Sequence, residues 1–345
     1  MSLELKTAPQ AFIPGMISHM SEICRDHFIR TQAIKEFAAS EKAHSIAILE
    51  RGIWYPIDYC EALEKFGYQD RLNWAVQTGC SYHGYMPDTF TALGDPSFAT
   101  GRRLCEYRVS EGTLPSVALE SIQKTWVLLD CRAAIDIAAY RALLDILGKD
   151  KFDVLFSSES NTPLQIGGRC PLTTKLLKEV ELQTSAGLKP GDICYFVNGA
   201  SYTEKHPLAH GRGYNTVYRG VTQAGPKFMA LGFEPEGRNV PGIDQAFTQE
   251  YNRPQELRFM NSAVISHTFR TAILRDEKAS KDFVEAHANR QMTPEEFQKE
   301  PTHPSFQNRP VEGRMFLTVH RFRLGKIQKL VNASLEDVRR VFESL

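Results

Sequence analysis

The segment Asp130–Gly148, DCRAAIDIAAYRALLDILG, constrains the fold of this chain more than any other stretch. Asp130 is a good N-cap residue, and a cap there makes Cys131 the first residue of a helix. Ile135, Ala138, Ala142 and Ile146 follow at steps of three, four and four, with Ala139 and Leu143 beside them, which predicts one apolar face. Gly148 stands where a left-handed C-terminal cap belongs. The helix follows a brief apolar run, Thr125–Leu129, so the cysteine sits where a buried strand turns into a helix.

A cysteine in that place has a chemical consequence. Unpaired backbone N–H groups and the helix dipole favour negative charge at a helix N-terminus, which lowers a thiol pKa. The same N–H groups can hold an oxyanion on a carbonyl that the thiolate attacks. Asp130 opposes the thiolate if it is close and ionised; alternatively it faces away as a cap or orients a neighbouring donor.

The other cysteines lack this setting. There are seven, with no CxxC pair, which disfavours a zinc ribbon or a redox dithiol. Most read as small buried hydrophobes in a reducing compartment. Cys194 lies inside the apolar strand Ile193–Val197, Cys105 is mid-strand, and Cys170 follows Gly-Gly-Arg in a loop where exposure is expected.

A nucleophile needs a base and an orienting group. The stretch after Val197 reads NGASYTEKHPLAHGRGYNTVYRG and supplies Glu204, His206, His210, Tyr214 and Asn215 just before a strand. His210 precedes Gly-Arg-Gly, which lets backbone approach closely; His206 precedes Pro207 and is held extended. Both also read as plain loop residues, and as a metal pair they are disfavoured because Pro207 and the glycines break a helix. His83, in the aromatic loop Thr78–Pro96, is a further pocket candidate, whereas His267 and His320 fall in apolar segments and read as packed. Gly211-Arg-Gly is too short for a phosphate loop.

Three regions emerge. Residues 1–95 read as mainly helical, with segments around Gln32–Arg51 and Asp58–Phe66. Residues 96–235 read as an α+β unit. Its strand candidates are Leu104–Val109, Ile193–Val197, Tyr214–Tyr218 and Lys227–Phe233; the last three are set apart by Gly and Pro clusters, as in an antiparallel meander. Phe152–Phe156 reads as a short strand or a helix tail. Residues 236–345 read as a mainly helical extension, with helix starts at Thr293-Pro-Glu-Glu and Ser334-Leu-Glu-Asp.

The central region resembles the bacterial spore-coat transglutaminases. The pieces that carry the resemblance are Tyr107-Arg-Val-Ser110, Asp130-Cys131 and Leu144-Asp-Ile-Leu-Gly-Lys-Asp-Lys-Phe152. They are followed in order by Gly191-Asp-Ile-Cys-Tyr-Phe-Val-Asn198, Arg212-Gly-Tyr-Asn215 and Lys227-Phe-Met-Ala-Leu-Gly232. The resemblance spans roughly residues 100–235 and implies a papain-like (NlpC/P60-like) core, with the cysteine helix packed on an antiparallel sheet. It implies that Cys131 forms a thioester with a glutamine side chain, which an amine then resolves to a cross-link or water to a glutamate. The family's catalytic glutamate falls on Tyr214 here and its supporting histidine on Leu231, so His210 or His206 is expected in their place, with Asp130 beside the nucleophile. A papain-like peptidase or cell-wall amidase, and an inactive binding scaffold of the same descent, remain open on this reading.

The implied partner is a protein bearing glutamine, with a lysine or another amine as acceptor. The chemistry needs no cofactor and no metal. A net charge of zero over 345 residues gives no electrostatic case for nucleic acid or an anionic membrane surface. The N-terminus lacks a basic start followed by an apolar run, so a cytoplasmic location is expected, with signal-independent export left open.

Overall fold

The computed structural model describes residues 8–38, 52–54, 86–93, 106–124, 126–128, 131–167, 170–205, 213–252, 290–302 and 309–345. In chain order it begins with α1 (Ala8–Ala38), β1 (Gly52–Trp54), β2 (Phe90–Leu93), β3 (Glu106–Val109), α2 (Pro115–Ile122) and β4 (Trp126–Leu128). Then follow α3 (Cys131–Leu147), α4 (Lys149–Phe156), β5 (Gln165–Ile166) and, after a π-helical turn at Leu172–Leu176, β6 (Leu177–Glu181). The remainder comprises β7 (Ile193–Val197), α5 (Tyr202–Lys205), β8 (Gly213–Thr222), β9 (Gly225–Met229), α6 (Val240–Asn252), α7 (Pro294–Lys299), β10 (Val311–Glu312), β11 (Met315–Phe322), α8 (Leu324–Asn332) and α9 (Val338–Glu343). The chain is therefore of mixed α+β class.

The main sheet is antiparallel and six-stranded, in the order β10-β11-β7-β8-β9, with β6 also paired to β11. Its two faces serve two cores. Ile193, Val217, Met229 and Phe322 face a core built with α1 and α3. Cys194, Phe196, Tyr218, Phe228, Met315, Leu317 and Val319 face a second core built with α6 and α7. This division follows from the strand period of two, which sends neighbouring residues to opposite sides.

α3 begins at Cys131 and ends before Gly148, as the sequence predicts, but the left-handed helical cap is a correction: Gly148 takes φ 76° and ψ 162°, an extended conformation open to glycine that leads straight into the next helix. The expected single apolar face is a correction: every residue from Ala133 to Tyr140 is buried. Alanine makes this possible, because small side chains let neighbours close in on several sides. α1 is one of them. Its residues Phe12, Met16, Met20 and Ile23 are fully buried at steps of four, four and three, and Gly15 backs onto Ala142. Polar pairs flank the contact, with His19 Nε2 2.5 Å from Asp145 and Arg141 2.9 Å from Glu22.

Phe152–Phe156 is helical rather than a strand, since α4 restarts directly after Gly148 and buries Phe152, Leu155 and Phe156. The Phe156 ring meets Tyr140 at 5.2 Å, Phe152 at 4.9 Å and Phe342 at 5.4 Å, tying α3, α4 and α9 together. Phe156→Ala is expected to cost about 3–5 kcal/mol, as for a fully buried aromatic whose cavity cannot collapse. Equilibrium unfolding in urea checks this as a lowered midpoint at unchanged slope.

Other departures are local. The aromatic stretch read as loop contains β2, which pairs antiparallel with β3. Cys170, expected exposed, is fully buried, and burial pushes its thiol up to about 12. The C-terminal segment supplies helices α6 to α9, but it also supplies β11, an interior strand of the main sheet. Arg321 fastens that strand: its guanidinium forks onto the buried Asp192 carboxylate at 2.7 and 2.6 Å. The Thr293 helix start has a full capping box with Glu296, whereas the last helix begins at Val338, with Ser334 bonding Asp337 one turn earlier. Of the predicted N-terminal helices, residues 32–38 belong to α1, and residues 39–51 and 58–66 lie outside the described residues.

Candidate active site

Cys131 opens α3 and is half-buried. Its Sγ accepts a hydrogen bond from the Asn215 side-chain amide at 3.2 Å. Asn215 stands in β8 opposite Tyr195 of β7. The first turn of α3 thus lies over the start of β8, with the sulfur at the helix mouth and an amide N–H aimed at it. Both features favour a thiolate, because unpaired N–H groups at a helix start and a direct donor each stabilise negative charge.

The remaining described cysteines are in the opposite situation. Cys24 and Cys170 are fully buried and pushed up to about 12, and burial raises Cys194 as well. Among the described cysteines, Cys131 alone is not fully buried.

Tyr214 and Asn215 are neighbours in one strand and therefore face opposite sides of the sheet. Tyr214 turns away from Cys131 into the second core, where its ring lies 4.8 Å from both Phe233 and Phe247. The expectation that Tyr214 lines the site is corrected by this alternation; Asn215 is the residue that faces the sulfur. Tyr214→Glu is accordingly expected to destabilise the fold by about 2 kcal/mol or more, through loss of two ring contacts and burial of a carboxylate. It should leave the alkylation rate of Cys131 unchanged. Urea unfolding and iodoacetamide kinetics on the same variant check both halves.

Tyr195 shares the site face with Asn215, and its hydroxyl end lies against Gly213; a side chain at position 213 would collide with it. The glycine is needed here for space. Arg132, next to the nucleophile, is occupied structurally: its Nε lies 3.3 Å from the buried Asp136 carboxylate, and a terminal nitrogen donates to Thr173 Oγ1 at 3.1 Å. Asp136 also accepts from the Gly167 N–H at 3.2 Å. Leu231 packs against the core shared with α1 and α3.

Asp130, His206, His210 and His83 lie outside the described residues, as does the side chain of Glu204, whose backbone belongs to α5. His320, read from the sequence as packed, is half-buried in β11 on the same side of the sheet as Asn215. Burial lowers its pKa first and the Arg132 charge second, with Glu179 opposing both. Among the described residues, no group of three or more His, Cys, Asp or Glu side chains is arranged to hold a metal ion. No helix among them is long and apolar enough to cross a membrane.

No protein-family model and no curated protein matches the chain. Among solved structures it is similar to a transglutaminase from Geobacillus stearothermophilus without its C-terminal extension. The identity is 14%, the coverage is 81% of this chain and 100% of that one, and the TM-score is 0.42.

Proposed function

We propose that the protein is a cysteine acyltransferase of transglutaminase type, which forms a thioester between Cys131 and the side-chain carboxamide of a protein glutamine. The observation that carries the reading is the Cys131 sulfur at the start of α3, with the Asn215 amide donating to it at 3.2 Å.

The chemistry follows from that pair. The thiolate attacks the carboxamide carbon, and the carbonyl electron pair moves to oxygen. N–H groups at the start of a helix have no partner within it and can receive that oxyanion. Asn215 has two N–H bonds; one holds the sulfur, which fixes its direction of attack. As the tetrahedral adduct collapses, its nitrogen takes up the proton given off when the thiolate formed and leaves as ammonia, and a thioester remains. A lysine or other primary amine resolves it to an isopeptide bond, and water resolves it to glutamate. A helix laid on an antiparallel sheet with the nucleophile at its first position is also the arrangement a papain-like core requires.

The test uses a glutamine-bearing protein, a fluorescent primary amine and the purified chain. Dye incorporation together with ammonia release, both lost in Cys131→Ala, supports the proposal. Cleavage of peptide bonds in place of incorporation would assign the protein to the peptidases. An absence of all three would leave a binding scaffold and end the enzymatic account.

A further inference from the structure

A nucleophile that acts on peptides needs a surface beside it on which the peptide lies. Asn215, whose amide reaches the Cys131 sulfur, stands opposite Tyr195 in β7, and Tyr195 stands opposite Phe316 in β11. Residues directly opposite one another share a face, so these three side chains form a row that runs outward from the nucleophile across three strands. The neighbours of Phe316 agree with this side, since Met315 and Leu317 turn into the second core. Tyr195 is half-buried, which leaves part of it open to solvent beside the site. Its ring is held from two directions. The hydroxyl end lies against Gly213, and the buried Phe316 ring meets it edge-on with the centroids 6.4 Å apart.

Arg309 closes the outer end of the row. Its guanidinium lies over the Phe316 ring, 5.4 Å from the centroid, and the residue is exposed. Among the described residues no carboxylate forms an ion pair with it. Glu312, the nearest acid in sequence, stands opposite Met315 and so faces the other side of the sheet, where it accepts from the Ser185 N–H at 2.6 Å. An aromatic face therefore orients the guanidinium, and its charge is left for a partner. Strands lie about 4.8 Å apart, which puts the Phe316 Cα on the order of 10 Å from the Asn215 Cα and the Arg309 charge on the order of 10–15 Å from the sulfur. An extended peptide advances about 3.3 Å per residue, so that distance corresponds to three or four residues.

We infer that Tyr195, Phe316 and Arg309 form the subsite for the peptide that carries the reactive glutamine, and that they select a glutamine with an acidic side chain three or four residues away. The glutamine in this statement rests on the acyl-transfer reading; the acid rests on the row itself. The open part of the Tyr195 ring packs on the apolar atoms of the peptide next to the glutamine. Arg309 pairs with the acid, for which a planar guanidinium is well shaped. Phe316 is a positioning residue: buried, it fixes the Tyr195 ring at its edge and the Arg309 guanidinium over its face. The preference is local, because the chain as a whole has no net charge.

The test uses two synthetic peptides that alkylate Cys131. Each carries a chloroacetyl group on its central side chain, where a glutamine would carry its carboxamide. Three residues to either side, one peptide has glutamates and the other lysines. The sulfur displaces chloride and a thioether forms, so the probe needs no acyl transfer; the rate is followed on the Cys131 peptide by mass spectrometry. The ratio of the two rates cancels any change in the reactivity of the thiol. In the wild type the acidic peptide is expected to react about fivefold faster at low salt, the scale of an exposed ion pair, with the advantage shrinking as salt is raised. Arg309→Glu is expected to invert the ratio and Arg309→Gln to bring it near one; position 309 is exposed, so both variants should fold. Tyr195→Ala is expected to slow both peptides by about tenfold relative to iodoacetamide. A wild-type ratio near one, or a ratio that Arg309→Glu leaves in place, overturns the inference, and peptide rates untouched by Tyr195→Ala overturn the part given to the ring. Consumption of a glutamine protein together with an unmoved ratio would sink the subsite alone. A ratio that inverts in a protein that never consumes glutamine would sink acyl transfer alone and leave an acidic-peptide subsite beside Cys131.

Discussion

Cys131→Ala is expected to reduce glutamine turnover by about 10⁴-fold or more, measured both as ammonia release and as amine incorporation. The reasoning is chemical before it is structural. Both products pass through one thioester, and a methyl group cannot form it. The substitution asks little of the fold. Cys131 is half-buried at the first position of α3, its sulfur accepts from the Asn215 amide, and alanine is the best helix former. Loss of the Asn215 hydrogen bond alone is expected to cost about 1 kcal/mol. Loss of activity with retained unfolding behaviour is the expected combination. Residual turnover near the wild-type level would move the nucleophile elsewhere in the chain. The described alternatives are poor, since Cys24, Cys170 and Cys194 are all buried with raised pKa values.

Asn215 carries the second large effect. Asn215→Ala removes the donor on the sulfur and is expected to lower kcat by about 10²–10³-fold, the range for deleting one preorganised donor at a developing charge. Asn215→Asp separates two roles that alanine removes together. The shapes match, but the carboxylate places a like charge beside the thiolate. A like charge disfavours the ionised form, so the thiol pKa rises. The alkylation profile of Cys131 should therefore move to higher pH in Asn215→Asp, with turnover near neutral pH below that of Asn215→Ala. An Asp variant more active than the wild type would contradict the donor role and assign position 215 to a base. Both variants keep the β8 backbone pairing with Tyr195, so unfolding midpoints should change little.

The cysteine-bearing helix was legible in the sequence because three local signals converge on it: a cap-type residue before, a periodic run after, and a glycine at the end. Each acts over a few residues, which is what a sequence displays. The partner was only half legible. Tyr214 and Asn215 were both visible as candidates, but the choice between them is set by which side of β8 faces α3. That depends on Gly213 pairing with Val197, a contact made across the sheet. The resemblance pointed to position 214, whereas the strand period sends position 214 into the aromatic cluster with Phe233 and Phe247.

His320 was read as packed, and β11 holds it half-buried. Its segment looked like packing because Met315, Phe316, Leu317, Val319 and Phe322 surround it. Read at a period of two, the same residues split into an apolar side and a side carrying Thr318 and His320. Nothing local places that strand beside β7; the Arg321–Asp192 fork does so across 129 residues of sequence. Cys170 shows the converse error. A Gly-Gly-Arg lead suggested an exposed loop, yet the chain turns inward, and the thiol lies 3.3 Å from Thr173 Oγ1 beneath α3.

The central claim is a covalent bond at one sulfur, and it can be weighed. The protein is mixed with a glutamine-containing peptide in the absence of added amine, quenched in acid, digested, and the peptide containing Cys131 is measured by mass spectrometry. The account predicts that this peptide gains the mass of the glutamine peptide less ammonia, and that hydroxylamine removes the adduct. An unmodified Cys131 under conditions in which glutamine is consumed, or the same adduct on a different cysteine, would contradict it.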